Sequence, residues 1–140
     1  YKAKLQFYAD LGKWFDQHVK PSTPALWMGD LNIAPTDIDV DNPKTKKEHP
    51  CFHIAAREAF LKVRDPRWID LYRQQHPEAG HYTFWDYRFP SSLAANKGWR
   101  IDHILGTKPM GGRLRRIWVD KEPRMAEKPS DHTFVAAEFD

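Results

Sequence analysis

Three pairs of polar residues border apolar, strand-like runs in this sequence: Asp30 with Asn32, Asp102 with His103, and Asp131 with His132. Asp30 and Asn32 follow the run Ala25-Leu26-Trp27-Met28, and a spacing of two puts side chains on one side of an extended segment. Asp102 stands inside Arg100-Ile101-Asp102-His103-Ile104-Leu105, where a buried charge is costly without a partner. Asp131-His132 opens the last apolar segment and can reach the same rim. Taken singly, each pair is explained by helix caps and turns, where carboxylates are common. Gathered at one site, carboxylates, an amide and an imidazole suit hydrolysis of a phosphodiester. A hard divalent cation takes oxygen ligands and offsets the charge that grows on the phosphate. One carboxylate orients or deprotonates the attacking water, while an imidazole held by another donates to phosphoryl oxygens. The set is poor in the Cys and His ligands of zinc, which argues against zinc hydrolysis.

Other ionisable residues fit this scheme less well. His103 should face away from Asp102 across the strand, as a packed or solvent-facing histidine. His49, His53, His76 and His81 have no convincing metal spacing; His49 and His53 are four apart, but Pro50 argues against a shared helical face. Asp37, Asp39 and Asp41 alternate, yet their loop lacks the turn glycine and distal glutamate of an EF-hand.

The elements that must position these residues follow from apolar periodicity. Residues 3–19 read as an amphipathic helix through Leu5, Tyr8 or Ala9, Gly12, Phe15 and Val19, with Leu11 and Trp14 widening the stripe. Pro21 and Pro24 end it, and 25–28 reads as a strand buried between layers, delivering Asp30 and Asn32 at its mouth. After a polar loop from Pro35 to Pro50, residues 51–63 predict a second helix, punctuated by Pro66. Strands are expected at Tyr82–Trp85, Trp99–Leu105, Leu114–Val119 and His132–Phe139, with Ile117 and Val119 opposite Trp118. Short strands with helices outside indicate an α/β fold of packed layers, although this is an incomplete set for such a fold.

A chain of 140 residues predicts one domain with a real core. Six tryptophans are many for this length and belong in packing or at a binding surface. The net charge of +3 is compatible with a nucleic-acid partner without requiring one. The lone Cys51 excludes an internal disulfide and fits a reducing, cytoplasmic compartment. No apolar run approaches the roughly 18–20 residues of a membrane span, so no membrane partner is expected. The start at Tyr1 without Met suggests a piece of a longer protein or a trimmed chain.

Gly29-Asp30-Leu31-Asn32-Ile33-Ala34-Pro35-Thr36-Asp37 resembles the GDxN(I/V)xPxxxD segment of exonuclease III-like apurinic/apyrimidinic endonucleases. Asp41-Asn42-Pro43-Lys44 is similar to the DNA-facing stretch that follows it in that family. Tyr82-Thr83-Phe84-Trp85-Asp86-Tyr87-Arg88 resembles Y-(S/T)-(F/Y)-W-x-Y-R, Asn96 to Asp102 resembles N-x-G-x-R-(I/L)-D, and Ser130-Asp131-His132 the terminal SDH. All stand in family order and span essentially the whole chain. GDLN or SDH alone is weak; together with the WDYR segment they are strong.

The resemblance implies half of a four-layer α/β sandwich of the DNase I-like type, with a mixed, mainly antiparallel sheet and flanking helices. Residues 1–140 would form its carboxy-terminal portion. It implies abasic-site incision and 3′→5′ exonuclease activity on double-stranded DNA with abasic or 3′-blocked sites, using Mg²⁺ with Mn²⁺ as a substitute. Asp30 would activate the water, Asn32 would contact the phosphate, and Asp102 would hold His132 against it. Asp131 would ligate the metal or lie beside it, with Asp30 and Asn32 as further possible ligands. Phe84, Trp99 and Ile101 would line a pocket for the base-free sugar, with core packing as the plainer reading of Phe84 and Trp99. Asn42, Lys44 and Arg88 would touch the DNA backbone, which positions the duplex without reading its sequence. Family enzymes are about twice as long, and their amino-terminal half carries the principal metal-ligating glutamate. The chain alone is therefore expected to be inactive and to need that half, in cis or as a separate chain. Two other readings stand beside this one. The first is another phosphodiesterase or phosphatase of the wider superfamily, of the DNase I-like, inositol-phosphate or sphingomyelin type. The second is a non-catalytic DNA-binding fragment.

Overall fold

The structure, a computed structural model, describes residues 2–140. Helix α1 (Lys2–His18) packs against α2 (Ile54–Arg64), burying Tyr8 and Phe15 with Ala56, Phe60 and Trp68. Phe15 meets Trp27 and Trp68 edge-on at 5.1 and 5.0 Å between ring centroids. Each such aromatic taken from water contributes about 1.5–3 kcal/mol. Gly12 faces Val63 across this seam, where a Cβ would make an ordinary 3.5 Å contact. Trp14 does not widen the buried stripe: it is exposed and stacks on His18. One residue along a helix turns the side chain by about 100°, so with Phe15 centred on the core Trp14 swings outward.

Strand β1 (Leu26–Asp30) pairs antiparallel with β3 (Asp102–Gly106), which also pairs antiparallel with the short β2 (Ile69–Asp70), in the order β1-β3-β2. Within this chain the expected strand stands at the edge of its sheet, with the helices covering one face. Trp27 points into the helical core, while Leu26 and Met28 point the other way and are 39% and 61% exposed. Strand alternation makes this split unavoidable once a single layer packs on the sheet. The second sheet is the antiparallel pair β4 (Leu114–Asp120) and β5 (Phe134–Phe139). Ile117 and Val119 pack inward with Val135, Ala137, Leu71 and Ile104, whereas Trp118 lies outside under the Arg116 guanidinium at 4.0 Å. Two short helices, α3 (Leu71–Gln75) and α4 (Lys108–Arg113), were not anticipated; Asp70 caps α3 by accepting from the Arg73 amide. The result is a mixed α/β fold of antiparallel sheets and flanking helices.

Residues 82–85 are not a ladder strand, because their amides divide between two segments. Thr83 and Phe84 donate to the Trp99 carbonyl, Trp85 donates to the Asp131 carbonyl, and the Thr133 amide returns to Thr83. Phe84 thus bridges both Trp99 and His132. Gly98 permits this crossing: a Cβ there would lie 2.7 Å from the Phe84 carbonyl oxygen and 2.9 Å from the Trp85 ring.

Beneath the crossing lies a buried ionic network. Arg100, 1% exposed, donates to Asp39 at 2.7 Å and to both oxygens of Asp70 at 2.5 and 3.1 Å. Burial alone would raise the Asp39 carboxyl, but Arg100 and Arg73 outweigh it and hold it down at about 2. The three alternating aspartates therefore go to different cations: Asp37 to Arg57, Asp39 to Arg100 and Arg73, and Asp41 to Lys46. His103 is fully packed. Its Nδ1 faces Arg100, so Nε2–H donates to the Ile33 carbonyl at 2.7 Å, and burial beside a guanidinium pushes the ring down to about 4.

Candidate active site

The β1–β3 register places Asp30 directly opposite Asp102. Both side chains fall on the face away from the helices. His132 arrives from the segment before β5 through the Phe84 bridge. Its Nδ1 meets Asp102 Oδ2 at 2.9 Å and Oδ1 at 3.1 Å, and its Nε2 stands 3.7 Å from Asp30 Oδ2. The imidazole thus lies between two carboxylates, and Asp30, Asp102 and His132 bring donor atoms within 4.8 Å of one another. Asp102 is raised by burial, with hydrogen bonds from Thr83 and His132 opposing that shift. The buried Thr83 hydroxyl also accepts from the Ile101 and Asp102 amides, which fixes the start of β3.

Asp30 and Asn32 do meet, but not by the extended alternation expected. The strand ends at Asp30, and Asn32 is left-handed at φ 50°, a conformation asparagine tolerates better than most residues. The turn closes when the Asn32 amide donates to Asp30 Oδ1 at 3.0 Å. Gly29, at φ +134°, supplies backbone freedom just before it. Lys4 of α1 pins the far side of the turn by donating to the Asn32 carbonyl and to the Pro50 carbonyl. No sequence signal connected Lys4 with this loop.

Asn32 and His132 open onto a cleft of about 570 Å³ whose apolar wall includes Phe84, Trp99 and Ile101. The three expected pocket residues therefore stand together beside the imidazole. Phe84 meets the His132 ring edge-on at 5.1 Å. Among the wall residues that were missed, His49 packs on Trp99 at 4.4 Å, and Lys46 lies 5.2 Å above the same ring. Arg88 lines the cleft with its guanidinium forked onto Asp86 at 2.7–3.1 Å. Asn42 and Lys44 do not line it. Asn42 precedes the 3₁₀ turn Pro43–Thr45, its carbonyl accepting from the Thr45 amide, and Lys44 borders a separate depression beside Arg57. Asp131 is half-buried, and its carbonyl accepts from Trp85; among the described residues it is not one of the three converging donors.

A second grouping was not legible from spacing. His76 and His81, read as lacking a metal spacing, and Glu78, which the sequence reading did not single out, also bring donor atoms within 4.8 Å of one another. His76 and His81 are five apart across Pro77, off any helical repeat, and only the turn at Gly80, with φ +93°, returns them to one place.

Comparison with known proteins agrees with this geometry. Exodeoxyribonuclease III of Haemophilus influenzae is 32% identical over 146 aligned residues, which cover 99% of this chain and 54% of that protein. An AP endonuclease of Archaeoglobus fulgidus superposes with a TM-score of 0.97 at 41% identity, covering 99% of this chain and 54% of that structure. The 3′-5′ exonuclease NExo of Neisseria meningitidis superposes with a TM-score of 0.90 at 38% identity and the same coverage. The chain thus spans about half the length of these relatives, 54% in each case. The pattern of the Endonuclease/Exonuclease/phosphatase family matches residues 1–132. With that match and the relatives agreeing, the chain belongs to the Endonuclease/Exonuclease/phosphatase family and is exonuclease III-like within it.

Proposed function

We propose that the chain is the carboxy-terminal portion of a Mg²⁺-dependent nuclease that hydrolyses DNA at abasic sites and trims strands from the 3′ end. The observation that carries this reading is His132 held by Asp102 and facing Asp30 beside an apolar cleft. As the imidazolium, His132 donates from Nδ1 to Asp102 and has Nε2–H left for a phosphoryl oxygen. Asp30 orients the attacking water and accepts its proton as the new P–O bond forms and the old one breaks, the departing oxygen leaving with the bonding pair and taking a proton from solvent. Asn32, at the cleft mouth, donates its amide to the same phosphate.

The oxygen donors suit a hard cation. Asp102 is committed to His132 through both oxygens, whereas Asp30 is 42% exposed. Asp30, Asn32 and Asp131 would hold Mg²⁺, or Mn²⁺ in its place, with water completing the shell. When bound, the ion withdraws charge from the phosphate oxygens in the transition state. Phe84, Trp99 and Ile101 receive a sugar that lacks its base; extrusion costs least where no base pair must be broken. Arg88, with Asn42 and Lys44 further out, holds the flanking backbone.

The exposed apolar side chains support a longer protein. Met28 and Phe134 are 61% and 66% exposed, as expected of sheets that form half of a four-layer sandwich completed by an amino-terminal portion. The test is incision of a duplex carrying one abasic analogue by the intact protein, with Mg²⁺ and with EDTA. Metal-dependent cutting at the analogue supports the reading. Cutting that ignores the analogue would shift the substrate to ordinary DNA, and an absence of cutting would leave a binding module.

A further inference from the structure

We infer that His76, Glu78 and His81 form a second cation site, selective for a borderline divalent ion of the zinc class and separate from the hydrolytic centre. The three donors are His76 Nδ1, Glu78 Oε1 and His81 Nε2. Glu78 Oε1 lies 2.8 Å from His81 Nε2 and 3.9 Å from His76 Nδ1. Tetrahedral ligands at 2.0–2.1 Å from zinc stand roughly 3.3 Å apart, and the two distances bracket that value. The ligand type also separates the two sites: two imidazoles and a carboxylate suit zinc, copper or nickel, whereas magnesium takes oxygen.

The stronger argument lies in the nitrogens that face away. His76 Nε2 donates to the Ile117 carbonyl at 2.7 Å, which leaves the lone pair on Nδ1, the atom turned toward Glu78. His81 Nδ1 lies 2.6 Å from the Tyr72 hydroxyl, and its Nε2–H donates to Glu78 Oε1 at 2.8 Å. A bound ion would take the place of that proton, with Nδ1–H then donating to Tyr72. Both imidazoles thus have a hydrogen-bond partner at the distal nitrogen, the arrangement that holds ring orientation in metal-binding histidines. The loop is held in place without the ion. Arg73 donates to the His76 and Glu78 carbonyls at 3.0 and 2.6 Å, and Asn96 donates to the Gly80 carbonyl at 3.0 Å. Three protein ligands leave a coordination position for water or an incoming group. An ion here would tie the end of α3 to the β4 backbone through His76.

The test is Zn²⁺ titration of the intact protein in excess Mg²⁺, followed by calorimetry, with Co²⁺ absorption reporting the ligand field. One equivalent is expected to bind. His81→Gln and Glu78→Gln, both near the surface, should lower its affinity at least tenfold while circular dichroism stays unchanged. Tyr72→Phe keeps the ring and removes only the hydroxyl, and should weaken binding by about 10–100-fold. Asp30→Asn should leave this equivalent intact. Unaltered Zn²⁺ affinity in His81→Gln and Glu78→Gln, or binding lost only in Asp30→Asn, would overturn the assignment. Absence of any bound equivalent would reduce the trio to a surface ion pair and overturn it equally.

Discussion

Asp30 and Asp102 are direct cross-strand partners, one closing β1 and the other opening β3, and the His132 ring stands between their carboxylates. Two like charges opposite each other on a sheet are unfavourable unless something cationic or proton-bearing separates them. His132 fills that role, so the local charge arrangement and the proposed chemistry share one cause.

Asp102 and His132 should behave as a unit. Asp102→Asn and His132→Gln should each lower kcat for incision by about 10²–10⁴-fold with little change in KM. The double variant should be little worse than either single one, because groups acting together are not additive. Single-turnover incision by the three variants measures this.

Arg100 should be among the most sensitive positions for stability. Arg100→Met leaves Asp39 and Asp70 buried without their shared partner, a loss of about 3–5 kcal/mol. Urea unfolding of the intact protein measures it.

The same network predicts an acid limb of stability. Because the Asp39 carboxyl is held at about 2, the folded state binds fewer protons than the unfolded state below the usual aspartate value of about 3.9. The stabilisation is therefore complete above about pH 4 and lost as pH falls through 2. Asp70 is shifted in the same direction. Asp39→Asn should flatten the dependence between those limits in pH-resolved unfolding.

Much of the site was legible from residue type and order, and the reasons are local. Asp30 closes one apolar run and Asp102 stands inside another, so strand register alone can bring them together. The amphipathic spacing of Tyr8 and Phe15 fixes the buried face of α1. What stayed hidden depends on long-range backbone routing. Residues 82–85 look like a strand because Tyr, Thr, Phe and Trp favour one, yet their amides divide between the Trp99 and Asp131 carbonyls. Lys4, His49 and the trio His76, Glu78 and His81 gain their roles from loops folding back, which no periodicity records.

Gly98→Ala tests that routing. The added methyl would meet the Phe84 carbonyl and the Trp85 ring, so a loss of about 1–3 kcal/mol is expected. Because Trp99 is the next residue, the preference for abasic over intact duplex should fall with it. Trp99→Ala should raise KM for the abasic duplex about ten- to hundredfold, as expected of losing one large apolar contact. Steady-state incision of paired abasic and intact substrates checks both.

The most direct measurement is single-turnover incision of an abasic duplex by the intact protein carrying Asp30→Asn, with DNA affinity measured on the same sample by anisotropy. The substitution keeps size and hydrogen bonding but removes the base. Incision slowed by about 10²–10⁴-fold with affinity changed only a few-fold is the predicted result. Incision near the unsubstituted rate would contradict the assignment of Asp30, and with it the hydrolytic role of the Asp102–His132 pair.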